Sequence, residues 1–93
     1  MIIWDEVKRK QVIKIHGVDF AKLEDVLDDP FAIDYADDPH SSTEDRRVIV
    51  GKTSEYGMIA LVYVARGEKI RFITARRAEG WMVRMYEKQR KRS

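Results

Sequence analysis

Residues 58–64, Met-Ile-Ala-Leu-Val-Tyr-Val, carry no charge in a chain of which 37% is charged. A run this short falls far below the roughly 20 residues of a membrane span. Lacking polar alternation, it also differs from a strand with one wet face. It predicts a central strand buried on both sides, and a strand so placed needs neighbours. Val48-Ile49-Val50 supplies one, joined through the turn residues Ser54-Glu55-Tyr56-Gly57. Ile70-Arg71-Phe72-Ile73-Thr74 supplies the other through a tight Arg66-Gly67-Glu68 connection. The three form an antiparallel meander. Before them, Phe31, Ile33 and Tyr35 alternate with Ala32, Asp34 and Ala36, which predicts a further short strand.

Helices flank this sheet. Asp5 is a candidate N-cap for a helix from about 5 to 16 that carries Val7, Val12 and Ile15 and ends at Gly17. Asp19 is placed to cap a second, with Phe20, Leu23, Val26 and Leu27 at helical spacing and Asp29-Pro30 as its stop. Ala78, Trp81, Met82 and Met85 recur at helical intervals in a last helix, followed by the basic tail 89–93. Trp4 is expected to anchor the first helix and Trp81 to pack the last one on the sheet. The expectation is a single α+β domain over 1–93: two N-terminal helices, a small antiparallel sheet, and a C-terminal helix packed back on it.

The 93 residues suffice for one small core. With no cysteine there is no disulfide framework, thiolate metal site or cysteine nucleophile. The N-terminus turns acidic after four residues, unlike a signal peptide, so the expected location is cytoplasmic, with no membrane partner. His16 and His40 are the only histidines, and Asp34, Asp37 and Asp38 lack the spacing of a calcium loop. Neither a metal nor a cofactor is expected. Phosphate-cradling glycine loops and nucleophile motifs are also missing.

The net charge of +2 conceals a division. Residues 19–45 hold ten acids against Lys22, a net −9, whereas residues 46–93 hold thirteen Lys/Arg against four acids, a net +9. A basic half of this size points to a polyanionic partner. Arg66 ends the central strand, Arg71 lies in the next, Arg76 and Arg77 follow it, and Glu44, Arg46 and Arg47 stand at the start of the sheet. Guanidinium groups bind phosphate bidentately and stay charged, so several at adjacent strand ends can converge on one phosphate. The alternative for Arg71 and Arg76 is pairing with Glu44, Asp45 or Glu68. Tyr86 is either the edge of the packed helical stripe or a base-stacking group. His16 either favours the negative end of a helix dipole or serves as a general base.

These residues also fall into a familiar order. Trp4-Asp5 with Lys8, His16-Gly17-Val18-Asp19-Phe20 and Asp29-Pro30 come first. Glu44-Asp45-Arg46, Val48-Ile49-Val50-Gly51, Val62-Tyr63, Arg66-Gly67 and Arg71-Phe72-Ile73-Thr74-Ala75-Arg76 with Ala78 follow. Over about residues 3–87 the chain resembles the BrnT toxin family, departing from its usual pattern at Val12, Ile15, Arg47 and Val83. The resemblance implies a RelE-like fold and a bacterial endoribonuclease that halts translation. It also implies a BrnA-like antitoxin partner, in a complex (2:2 is one form open to it) that binds operator DNA and represses the operon.

On this reading the RNA 2′-OH attacks the adjacent phosphorus without a metal. Arg66, Arg71 and Arg76 hold the phosphate, Glu44 or His16 is the base, and Arg46 orients Glu44. Tyr86, Arg77 and the tail residues Arg90, Lys91 and Arg92 are candidate RNA contacts. The competing reading is a non-catalytic nucleic-acid or protein-binding module of the same fold.

Overall fold

The structure is a computed structural model and describes residues 1–37 and 45–92. Its frame is a five-stranded sheet in the order β1-β5-β4-β3-β2, formed by β1 (Ile2–Trp4), β2 (Ile33–Ala36), β3 (Arg46–Thr53), β4 (Gly57–Arg66) and β5 (Lys69–Arg77). Strands β2 to β5 pair antiparallel, and β1 runs parallel to β5. The apolar run lies on β4, at the centre, as its composition requires. Its side chains alternate between two cores: Ile59, Leu61 and Tyr63 on one face, Ala60 and Val62 on the other.

The first face is covered by the N-terminal third of the chain. Helix α1 (Glu6–His16) starts at Asp5, whose carboxylate accepts from the Val7 and Lys8 amides, and closes at Gly17 in the left-handed conformation. Val12 joins Phe20, Phe72 and Leu61 in the larger core. Trp4 lies on β1, just before α1. Its ring sits 6.1 Å from both Phe20 and Phe72, while its indole N–H donates to Glu6, tying β1 to the first turn of α1.

The expected second α-helix is instead two 3₁₀ turns, Phe20–Lys22 and Glu24–Asp28. The reason is in the spacing: Phe20, Leu23 and Val26 fall three apart and are all essentially fully buried. A 3₁₀ helix, with three residues per turn, aligns such residues in one row. Asp19 still caps, through the Ala21 amide. Strand β1 was not expected either, because three residues carry no readable period.

Two close approaches fix this layer. At Gly51 a Cβ would lie 2.7 Å from the buried Val26 side chain and 3.2 Å from Ala32 and Asp29. Gly51→Ala is therefore expected to cost about 1–3 kcal/mol by overpacking, read as a lower denaturant midpoint with unchanged slope. Asp29 links three elements, accepting from the Phe31 and Lys52 amides and from the Tyr86 hydroxyl at 2.8 Å. Burial disfavours its charge, but these donors outweigh burial and hold its pKa below the usual carboxylate value. A lowered folded-state pKa adds stability above the unfolded pKa of about 3.9, and that stability is lost as pH falls through the folded value. Tyr86→Phe, which removes one donor, is expected to cost about 1 kcal/mol and to raise the midpoint pH of acid unfolding, measured by circular dichroism.

Helix α2 (Gly80–Lys91) lies over β2 and β3 on the opposite face, with Met82 packed against Val48, Val50 and Ala60. It covers only part of that face. No helix among the described residues is long and apolar enough to cross a membrane.

Candidate nucleic-acid interface

Strand register decides what the uncovered part of the sheet displays. Across β2, β3, β4 and β5, Ile33, Val50, Ala60 and Arg76 form one row, and Tyr35, Val48, Val62 and Thr74 the next. Arg46, Val64 and Arg71 form a third row, continued by Ile3 of β1. Arg66 and Lys69 face each other beyond it. Rows two residues apart project on the same side, so Arg46, Arg66, Lys69, Arg71 and Arg76 share the face that α2 leaves open.

That convergence depends on a bulge. Arg71 and Arg76 are five residues apart, and in a regular strand they would point to opposite sides. Between Val62 and Tyr63 the register shifts, with Val62 opposite Thr74 but Tyr63 opposite Phe72. Ile73 is the extra residue, and one extra residue reverses the alternation beyond it. Phe72 and Ala75 both stay in the large core, and Arg71 and Arg76 emerge together. At the other end, Gly67 has φ +60° while no described non-glycine residue has positive φ. This is the pattern of a type II′ turn, with glycine first of the two central residues. The two-residue turn sets Arg66 directly beside Lys69.

Two depressions mark the open face. One, of about 320 Å³, is lined by Ile3, Val64, Arg66, Lys69 and Arg71. The other, of about 300 Å³, lies where α2 begins and is lined by residues including Tyr35, Asp37, Thr74, Arg76, Trp81 and Met82. Arg76 pairs with Glu79 at 2.7 Å, both about half exposed. The other oxygen of Glu79 accepts from the Trp81 indole N–H at 3.0 Å. Trp81 does not bury itself against the sheet. It is 43% exposed, with its ring 6.5 Å from that of Tyr35, and Met82 does the packing. Burial pushes the Tyr35 pKa up, so its hydroxyl stays protonated at neutral pH.

The remaining candidates lie elsewhere. His16 ends α1, on the other side of the sheet. Arg77 also turns to that side, its guanidinium 5.5 Å over the Tyr56 ring and bonded to the Tyr56 carbonyl. Tyr86 is 4% exposed and committed to Asp29, and burial together with that bond pushes its pKa up to about 12. Arg90 pairs with Glu87 in the last turns of α2, Lys91 ends the helix and Arg92 follows it. Glu44 lies outside the described residues. Arg47 is held at 2.6 Å by Asp34, which also accepts from Tyr63 on the covered face. Among the described residues no group of three or more His, Asp or Glu side chains could hold a metal ion.

Sequence reasoning missed Lys69, Tyr35, Asp37, Thr74 and Glu79 as parts of this surface. Lys69 had a signal, its place just after the turn glycine. The others gather only through strand register and the position of α2.

Residues 4–80 match the family described as the ribonuclease toxin BrnT of the type II toxin–antitoxin system. Among solved structures, the ribonuclease toxin BrnT of Brucella abortus superposes with a TM-score of 0.64 at 33% sequence identity. The match covers 84% of this chain and 95% of that one. None of the curated proteins compared with the chain matches it. Sequence match and shared fold agree: the chain belongs to the BrnT family of ribonuclease toxins of type II toxin–antitoxin systems.

Proposed function

We propose that this chain is a metal-independent endoribonuclease of the bacterial cytoplasm, with a RelE-like fold, that inhibits translation. The observation that carries the proposal is the gathering of Arg46, Arg66, Arg71 and Arg76 on one open sheet face. Guanidinium groups spread along such a face hold an RNA backbone, and those that reach the scissile phosphate neutralise the charge that builds up as the phosphorane forms. The 2′ oxygen attacks phosphorus, its proton passes to a base, and the 5′ oxygen leaves with a proton. The products are a 2′,3′-cyclic phosphate and a free 5′-hydroxyl. Glu44, two positions before Arg46 in sequence, is the proposed base and Arg46 its orienting partner. His16, on the far side of the sheet, does not take part. A BrnA-like antitoxin neutralises the toxin, and the complex represses its own operon.

The test is incubation of the purified protein with RNA in EDTA. Discrete cleavage, lost on 2′-O-methyl RNA and lost in Glu44→Gln, is the expected result. Cleavage of 2′-O-methyl RNA would remove the 2′-OH step. Intact unmodified RNA with a retained, salt-sensitive gel shift would leave a binding module in place of the enzyme.

A further inference from the structure

The RNA-cleaving reading accounts for the arginines but not for the groove at the start of α2. Three observations set this groove apart from ordinary packing. Trp81 holds a large aromatic ring in water at 43% exposure, on a helix whose other exposed positions are mostly charged. Its indole N–H is fixed by Glu79, which also holds Arg76, so the ring is oriented by the same carboxylate that holds a proposed phosphate ligand. Tyr35 stands at 50° to it across the groove, and Asp37 adds a carboxylate to an otherwise largely apolar lining. At about 300 Å³ the space is at the small end of ligand sites.

We propose that this groove is a nucleobase subsite, in which one base of the RNA stacks on Trp81 while its phosphate lies against Arg76. Aromatic platforms beside cationic groups bind single-stranded nucleic acid in this way. The groove also has a chemical preference. An ionised carboxylate only accepts hydrogen bonds, so Asp37 favours a base edge that offers donors. Guanine presents N1–H and N2–H₂ side by side, matching the two carboxylate oxygens. The structure thus assigns to Trp81 and Tyr35 the binding of a base, and to Asp37 the selection of guanine.

The proposal rests on the RNA-cleaving reading, and its test separates the two. Tryptophan fluorescence and calorimetry are followed while 2′-O-methyl trinucleotides are titrated with guanine, adenine, cytosine, uracil or no base at the centre. The expected result is saturable quenching, greatest with guanine and absent without a base. Trp81→Phe should abolish the quenching yet keep most of the affinity, whereas Trp81→Ala should weaken binding about 5- to 150-fold. Asp37→Asn should erase the guanine preference while the affinity for the other centres stays within a few fold.

Quenching without any cleavage of unmodified RNA would support the subsite and overturn the enzyme. Cleavage with unchanged kcat/KM in Trp81→Ala and no quenching by any trinucleotide would overturn the subsite and leave the enzyme standing. A Trp81 that responds to the antitoxin protein but to no oligonucleotide would make the groove a protein-docking surface and overturn the proposal.

Discussion

Replacing Arg76 or Arg66 with alanine is expected to slow RNA cleavage by about 10²–10³-fold, the usual cost of removing one charge-stabilising donor. In cells this should abolish growth inhibition. Both residues can be removed without a large folding penalty. Arg66 is exposed at the end of β4, and the pair between Arg76 and Glu79 is half exposed, where such pairs contribute little to stability. Activity should therefore fall while the melting curve hardly moves. Lysine at position 76 should restore only part of the rate, because a compact ammonium cannot make the bidentate contact. Arg77→Ala is the control: its guanidinium lies on the other face over Tyr56, and cleavage should stay within a few fold of the parent. Full toxicity of both Arg76→Ala and Arg66→Ala at matched expression would sink the site assignment.

Phe72→Ala should have the largest effect on stability, about 3–5 kcal/mol. Phe72 is 2% exposed and central to an aromatic cluster, its ring 5.8 Å from Phe20 edge-on and 6.1 Å from Trp4. The cavity would open where β1, β5 and the first 3₁₀ turn meet. Chains of this length are stable by about 5–14 kcal/mol, so the variant should retain only part of its stability. A drop in Tm of about 4–8 °C per kcal/mol follows, measurable by thermal circular dichroism. A loss of only a few degrees would mean that the cluster does not anchor the core. Phe72 neighbours Arg71 in sequence, so this variant also tests whether the basic face depends on the core beneath it.

Local signals were read correctly where the physics is local. The Asp5 cap, the Gly17 stop, the charge-free central strand and the tight turn before β5 each depend on a few adjacent residues. The 3₁₀ turns were misread as an α-helix because Phe20, Leu23, Val26 and Leu27 satisfy both periods. Only the burial of the first three, with Leu27 less covered, separates them. Trp81 was misread because a tryptophan at helical spacing normally packs inward, and here Met82 takes that place.

The site divides in the same way. Sequence alone determined that the chain carries a cluster of arginines in its basic half and a strand requiring cover on both faces, because charge and hydrophobicity are properties of single residues and short runs. It also placed Arg66 at a strand end beside a turn. Only the tertiary structure decided which arginines share a face. A bulge at Ile73 puts Arg71 and Arg76 on one side and leaves Phe72 and Ala75 in the core, and α2, lying over β2 and β3, leaves that side open. Register and bulges are set by how two strands fit across a core, and no short stretch of either strand contains that fit.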